Sequence, residues 1–164
     1  MRTAAVLTIS DSSARGERAD VSGPATAELL RKNGFEVTHQ EIVPDDQPAI
    51  ESALVGMSEQ VQLVVTTGGT GIAPRDVTPE ATRAVCSKLL DGIPEMMRMK
   101  GSAQTPLAAL SRGVCGVRRR SLILNLPGSP SGAVESLRAV LHILPHALDL
   151  LSGKTGHDDV TIKG

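Results

Sequence analysis

The chain is almost without aromatic side chains. Phe35 is its single phenylalanine, and tryptophan and tyrosine are missing from all 164 residues. That removes the stacking platforms on which single-strand nucleic-acid binders rely. An excess of one charge is also missing: 17 basic residues face 18 acidic ones, for a net charge of -1. No global field favours a nucleic acid or a membrane surface, and neither is expected as a partner. Cysteine is scarce, with Cys86 and Cys115 alone and no CxxC spacing. Two small thiols in an aliphatic chain read as buried and reduced, which points to the cytoplasm. Long apolar runs are lacking as well. None approaches the roughly 20 residues of a membrane span. The opening MRTAAVLTISDSS is too short for a signal segment, has no cleavage site, and reads as a strand.

What remains is an ordinary globular composition, 40% hydrophobic and 21% charged. The expectation is one domain over residues 1–152, followed by a mobile C-terminal tail over 153–164. Ala4 to Ile9 forms a continuous apolar run, as a strand covered on both faces should. Ser22 is read as the cap of a helix with Pro24 in its first turn, ended by Asn33-Gly34. Phe35 to Val43 alternates as a second strand. A helix follows with Ile50, Ala53, Leu54 and Met57 on its buried face. Gln62 to Thr67 is a third strand. Thr78 is read as a cap with Pro79 at the first helical position, and Ala81, Ala84, Val85 and Leu89 as that helix's buried side. Further helices are expected from Ile93 to about Gly101 and after the strand Ser121 to Leu126. Residues 113–120 read as a short turn. The last helix carries Val134, Leu137, Leu141, Leu144, Leu148 and Leu151 as its stripe, and Pro145 should kink or divide it. Buried strands alternating with amphipathic helices predict an α/β, three-layer α/β/α sandwich around a mostly parallel sheet.

In such folds ligands bind beyond the carboxyl ends of the strands. The informative loops lie at those ends: Ser10-Asp11-Ser12, Pro44-Asp45-Asp46, TTGGTG (66–71) and NLPGSP (125–130). TTGGTG is neither a Walker A motif nor GxGxxG. Gly68, Gly69 and Gly71 could let backbone amides approach an anion, or simply make a tight turn. Asp76, beside Arg75 and just upstream of a filled cap, reads as free for magnesium or substrate. One of Asp45 and Asp46 should cap the next helix, leaving the other over. Asn125-Leu126-Pro127-Gly128-Ser129-Pro130 has the strand, turn and helix-start order that favours anions. Arg112, Arg118, Arg119 and Arg120 form a basic set that is ordinarily solvated, though one could neutralise phosphate. Gly153-Lys154-Thr155 mimics a phosphate loop but follows a helix and lacks the upstream glycine. His142 and His146 lie one turn apart, with Pro145 between them and no third ligand nearby, so zinc is not expected.

TTGGTG followed by RDVTPEAT, together with Ile-Ser-Asp-Ser-Ser, Val-Pro-Asp-Asp, Leu-Ser-Arg and Leu-Ile-Leu-Asn-Leu-Pro-Gly-Ser-Pro, resembles the MogA/MoaB family of molybdenum cofactor biosynthesis proteins. The likeness runs from Val6 to about Leu151. It implies adenylyl transfer from Mg-ATP to the terminal phosphate of molybdopterin, with pyrophosphate released. By motif match it implies Asp45 and Asp76 as the catalytic and magnesium-holding aspartates. Gly68, Gly69, Thr70 and Gly71 match the anion loop, and Asn125, Pro127, Gly128 and Ser129 the second ligand loop. Ser10, Asp11, Arg75 and Arg112 are further substrate or nucleotide positions. The resemblance also implies a homotrimer and contact with the molybdenum-insertion protein of the same pathway. The SRGVCGV to NLPGSPSGA half is closer to the MoaB-like branch, whose members are not all active, so a non-catalytic molybdopterin-binding trimer is the alternative. A molybdenum-insertion domain is the less favoured one, because such proteins carry further domains.

Overall fold

The computed structural model describes residues 1–154. The tail expected over 153–164 therefore lies, from residue 155 onward, outside the described residues. The core is a six-stranded sheet in the order β2-β1-β3-β6-β5-β4. Its strands are β1 (Arg2–Ile9), β2 (Phe35–Val43), β3 (Leu63–Thr67), β4 (Lys88–Leu89), β5 (Cys115–Arg118) and β6 (Ser121–Leu126). The first, second, third and sixth run parallel; β4 and β5 are antiparallel additions at one edge.

Side-chain alternation along the parallel strands splits the core into two layers. Ala4 and Val6 of β1, Leu63 and Val65 of β3, and Leu122 and Leu124 of β6 face one side. Four helices close that side: α2 (Ser22–Lys32), α5 (Gly92–Ser102), α6 (Pro130–Val140) and α7 (Leu144–Leu151). Ala5, Leu7, Val64 and Ile123 face the other side, under α3 (Gln47–Ser58) and α4 (Thr78–Val85). A single-turn helix α1 (Asp11–Ala14) follows β1, and a 3₁₀ helix (Pro106–Leu110) follows α5. The three-layer expectation holds. Pro145 divides the last helix: α6 stops at Val140 and α7 restarts with the proline in its first turn. Gly153 then ends α7 in the left-handed region, φ 85°, so the phosphate-loop mimic begins as a helix stop.

Several local expectations need correction. Residues 113–120 are β5 and a hairpin into β6, with Arg119 at φ 54° in the turn. The strand is short and carries charge, so its periodicity is weak. Ser22 does not cap α2. Asp20 takes that task, accepting from the Gly23 amide at 3.0 Å, while the Ser22 hydroxyl lies 3.0 Å from Thr67 Oγ1. Thr78 does not cap α4 either; its hydroxyl donates to the Gly68 carbonyl at 2.9 Å. Ala84 and Leu89 are exposed rather than buried, because α4 stops at Val85 and Leu89 sits on the edge strand. Thr82, which periodicity did not mark, is fully buried instead.

The topology locates the site. From β1 the chain crosses to β2 on one side, and from β3 to β6 on the other. The switch point lies between the carboxyl ends of β1 and β3, where an open α/β sheet leaves a crevice.

Candidate functional site

Four loops meet at this crevice, and each is held by groups the sequence supplies. The β1 and β2 loops grip one another reciprocally. The Asp11 amide donates to Asp45 Oδ2 and the Asp45 amide to Asp11 Oδ1, both at 3.0 Å. Asp46 accepts from the Ala49 amide at 3.0 Å and caps α3, so Asp45 is the aspartate left over. Asp11 also pairs with Arg75, whose Nη2 donates to Oδ1 at 3.0 Å.

The two linked aspartates have opposite electrostatics. The Arg75 guanidinium holds the Asp11 carboxyl below the usual carboxylate range. Asp45 is pushed up, first by burial and then by the negative charges of Asp11 and Asp76. A carboxylate that two neighbouring carboxylates and partial burial both disfavour is poised to receive a cation.

The glycine loop lies between these groups. Gly68 and Gly69 have φ of 94° and 67°, in the region that L side chains rarely adopt. A Cβ on Gly69 would press into Thr78 Oγ1 and come within 3.2 Å of Asp45 Oδ1. The loop is tied beneath by the Thr78 amide to the Gly69 carbonyl at 3.1 Å and the Gly68 amide to the Leu126 carbonyl at 3.1 Å.

Arg112 braces the loop from the other side. Its Nε donates to the Gly71 carbonyl at 2.8 Å, Nη2 to the Asp76 carbonyl at 2.9 Å, and Nη1 to Glu80 at 2.6 Å. Its own amide donates to the Thr70 carbonyl at 2.8 Å. Three of the guanidinium's five donors are thus taken by the protein, and Arg112 acts as a strut. Arg118, Arg119 and Arg120 lie at the β5–β6 hairpin, by the start of β6 and the opposite end of the sheet from the crevice. That basic run does not reach the site.

Asp76 is less free than the sequence suggested. Its Oδ2 accepts from the Ala73 amide at 3.0 Å and closes the 73–76 turn; the residue lines both clefts, and its other oxygen has no protein donor among the described residues. Asn125 is fully buried. Its amide donates to Thr66 and Thr82 hydroxyls at 3.1 and 2.9 Å and accepts from the Val114 amide at 3.2 Å. It supports the β6 loop from beneath and offers nothing to a ligand. Ser129 caps α6, accepting from the Gly132 amide at 3.1 Å. Gly128 packs against Gly68, where an added Cβ would sit 3.3 Å from the Gly68 Cα. The Ser10 hydroxyl caps α1 through the Ser13 amide at 3.2 Å.

Two clefts open from this ridge. The larger, about 1110 Å³, runs between Thr70, Gly71, the α5 and 3₁₀ helices and α6, with Met96, Gln104, Leu107 and Ala139 on its walls. The smaller, about 420 Å³, lies over α1 and the start of α2, with Ser10, Arg18, Asp20 and Asp45 on its walls. Both are bounded by Gly69, Asp76, Gly128 and Ser129. Sequence reasoning missed Arg18 and Asp20. Asp20 had a usable signal, an aspartate three residues before a glycine at a helix start.

Among the described residues, no group of three or more His, Cys, Asp or Glu side chains is arranged to hold a metal alone. A two-carboxylate pair suits magnesium, which keeps its waters and takes most of its remaining oxygens from substrate phosphates. The open oxygens of Asp45 and Asp76, and the repulsion between their charges, fit that pattern.

Residues 5–146 match the family described as Probable molybdopterin binding domain. A molybdopterin adenylyltransferase of Helicobacter pylori (strain J99) is 47% identical over 153 residues, covering 90% of this chain and 86% of its own. The enzyme of that name from Escherichia coli (strain K12) is 41% identical over 140 residues, covering 82% and 71%. The solved molybdopterin biosynthesis enzyme MoaB of a Thermus species superposes with a TM-score of 0.88 at 52% identity, covering 93% of this chain and 98% of its own.

Proposed function

The chain belongs to the molybdopterin-binding domain family, and we infer that it is a molybdopterin adenylyltransferase of molybdenum cofactor biosynthesis. Its substrates are molybdopterin and ATP. In the reaction, a terminal phosphate oxygen of molybdopterin attacks the α-phosphorus of ATP. A new P–O bond forms, the α–β anhydride bond breaks, and pyrophosphate leaves with the electron pair.

One observation carries this reading: two clefts meet at a ridge that bears both Asp76 and the glycine loop. A transfer between two phosphorylated substrates needs two seats and one shared point. Such chemistry depends on holding the reacting atoms in line and neutralising charge more than on a covalent intermediate. Gly69 and Gly71 bring backbone close to the phosphates, and the Gly69 conformation is fixed by Thr78 beneath it. Arg112 fixes the carbonyls of Gly71 and Asp76 and thereby the turn that carries the Asp76 carboxylate. Asp45 and Asp76 would hold magnesium through their open oxygens, and the ion would supply neutralisation of the departing pyrophosphate. Gly68, Thr70, Pro127, Gly128 and Ser129 line or support the ridge. Asp11 and Arg75 lock the β1 loop to the β3 loop, and Ser10 shapes the first turn.

The family resemblance supports a cytoplasmic homotrimer that meets the molybdenum-insertion protein of the pathway, with residues 1–152 as the functional domain. The apolar segment from Ile93 to Met99 offers less to that trimer than its sequence suggests, since Ile93 and Met97 are buried in the chain's own core. Met99, Leu107 and Leu110 stay exposed and are the better contact candidates. No helix among the described residues is long and apolar enough to cross a membrane. Incubating the protein with molybdopterin and Mg-ATP should release pyrophosphate, and molybdopterin binding without release would return the non-catalytic alternative. Light scattering should show about three times 17.1 kDa; a stable monomer at micromolar concentration would remove the trimer.

A further inference from the structure

Arg112 braces the glycine loop, and its own backbone is braced in turn. Residues 111–114 form a short strap between the 3₁₀ helix and β5, and three elements grip it. On one side lies β6: the Val114 amide donates to Asn125 Oδ1 at 3.2 Å, and the Asn125 amide to the Val114 carbonyl at 3.0 Å. Gly113 sits tight there, where a Cβ would come within 3.3 Å of the Asn125 carbonyl oxygen. On the loop side the Arg112 amide meets the Thr70 carbonyl. The third grip comes from α5. Arg98 Nη1 donates to the Ser111 carbonyl at 3.3 Å and to the Gly113 carbonyl at 3.0 Å. One guanidinium nitrogen thus spans the carbonyls of the residues on either side of Arg112. Arg98 itself is half-buried, and it is not among the described residues that wall either cleft. Met96 and Lys100, one helical turn apart, line the larger cleft, and Arg98 lies on the far side of that turn.

The Arg112 guanidinium is a rigid planar fork. Its Nε and Nη2 hold the Gly71 and Asp76 carbonyls at 2.8 and 2.9 Å. Any tilt of the strap at residue 112 therefore passes to both ends of the turn that carries the Asp76 carboxylate. Without Arg98 the Ser111 and Gly113 carbonyls lose this donor, and the strap keeps only its β6 and Thr70 contacts. Gly113 is buried, so its carbonyl must move to find another partner. Resting on the adenylyltransferase reading, we propose that Arg98 is a positioning residue for adenylyl transfer, acting through Arg112 on the Asp76 turn. It touches neither substrate. Its effect falls on turnover and not on affinity, because a small misplacement of reacting groups is costly while ground-state binding is spread over many contacts.

The test is a double-mutant cycle read in pyrophosphate release, with molybdopterin and Mg-ATP varied separately. Arg98→Met keeps the apolar stem and removes the donor. Its kcat should fall about tenfold, with both KM values and the molybdopterin affinity within about twofold of the wild type's. When Arg98→Met is combined with Arg112→Ala, kcat should be no lower than in Arg112→Ala alone, since residues in one chain of contacts are not additive. Arg98→Lys should keep kcat within about threefold of the wild type, because one ammonium nitrogen with three donors can serve two carbonyls. Arg112 should behave in the reverse way, since its three acceptors need the fork. If Arg98→Met does not fold, the cycle is run with Arg98→Gln, whose shorter side chain stops short of both carbonyls. A folded variant without the Arg98 donor that keeps the wild-type kcat would overturn the assignment and leave the adenylyltransferase reading standing. So would losses that multiply in the double variant, which would mean that Arg98 acts apart from Arg112. An Arg98→Lys as slow as Arg98→Met would also overturn it. No pyrophosphate from the wild type would overturn the enzyme reading and this assignment together.

Discussion

The two glycine-bearing loops of the crevice look alike in sequence and are held in different ways. The loop after β6 is an ordinary strand-to-helix turn: Ser129 caps α6, and Asn125 anchors the strand end from inside the core. The loop after β3 places two glycines in succession at positive φ. It is tied from outside by Thr78 and Arg112, and closed on itself by Asp76. A turn that only reverses the chain needs no such scaffolding. Two successive positions that glycine alone adopts readily, fixed by residues remote in sequence, leave bare backbone at the crevice where a ligand can approach closely.

The comparison breaks most visibly at Gly69. In Gly69→Val the β-branched side chain would have to adopt φ near 67° and occupy space held by Thr78 Oγ1. Turnover should fall to background and neither substrate should bind, with circular dichroism little changed. Binding at the wild-type level would make the loop a mere turn.

Asp45→Asn should cost about two orders of magnitude in turnover, because the charge proposed to receive magnesium is gone. Stability should move the other way. The folded-state pKa of Asp45 is raised, so its contribution to stability is full below the unfolded-state pKa and is lost as pH rises through the folded value. At neutral pH the ionised group is a burden, and the Tm of Asp45→Asn should equal or exceed the wild type's. The wild type's turnover should in turn decline on acidification at a pH above the ordinary aspartate range. A Tm lowered at neutral pH with turnover retained would make Asp45 structural.

Arg112→Ala removes the strut without removing a ligand. We expect roughly a tenfold to hundredfold fall in kcat, since small misplacements of reacting groups are costly. Arg112→Lys should restore little, because a point charge cannot span three acceptors. A loss confined to the KM for ATP would mean that Arg112 binds phosphate after all. Ser129→Ala, on the plain loop, is the smallest expected effect: about 1 kcal/mol of stability from the lost cap, visible in thermal melts, with turnover changed only a few-fold.

Much of this architecture was legible in the chain. β2 and β6 begin and end where alternation and the apolar run say they should, and the leftover aspartate of Pro44-Asp45-Asp46 is Asp45 as expected. Capping was the weak point, for one physical reason. Hydroxyls and carboxylates near a helix start can serve the helix or the neighbouring loop, and the loop's claims arise only in three dimensions. Thr78 turns to the Gly68 carbonyl, and Asp20, not Ser22, serves α2. Arg112 shows the same thing: three of its donors go to the Gly71 and Asp76 carbonyls and to Glu80, a bracing role that only the folded chain reveals. The edge pair β4 and β5 was illegible because two to four residues cannot establish a period.

Asp76 separates a working loop from a shaped one most directly. In Asp76→Asn the amide oxygen can still accept from the Ala73 amide, so the turn should persist while the charge disappears. Pyrophosphate release with molybdopterin and Mg-ATP should fall by about two orders of magnitude or more, roughly 2.7 kcal/mol of lost transition-state stabilisation. Molybdopterin affinity, measured by titration on the same preparation, should stay within a few-fold, because an interaction made in the transition state leaves ground-state binding alone. Wild-type turnover from the folded Asp76→Asn protein would contradict the account and leave Asp76 as no more than the clasp of its own turn.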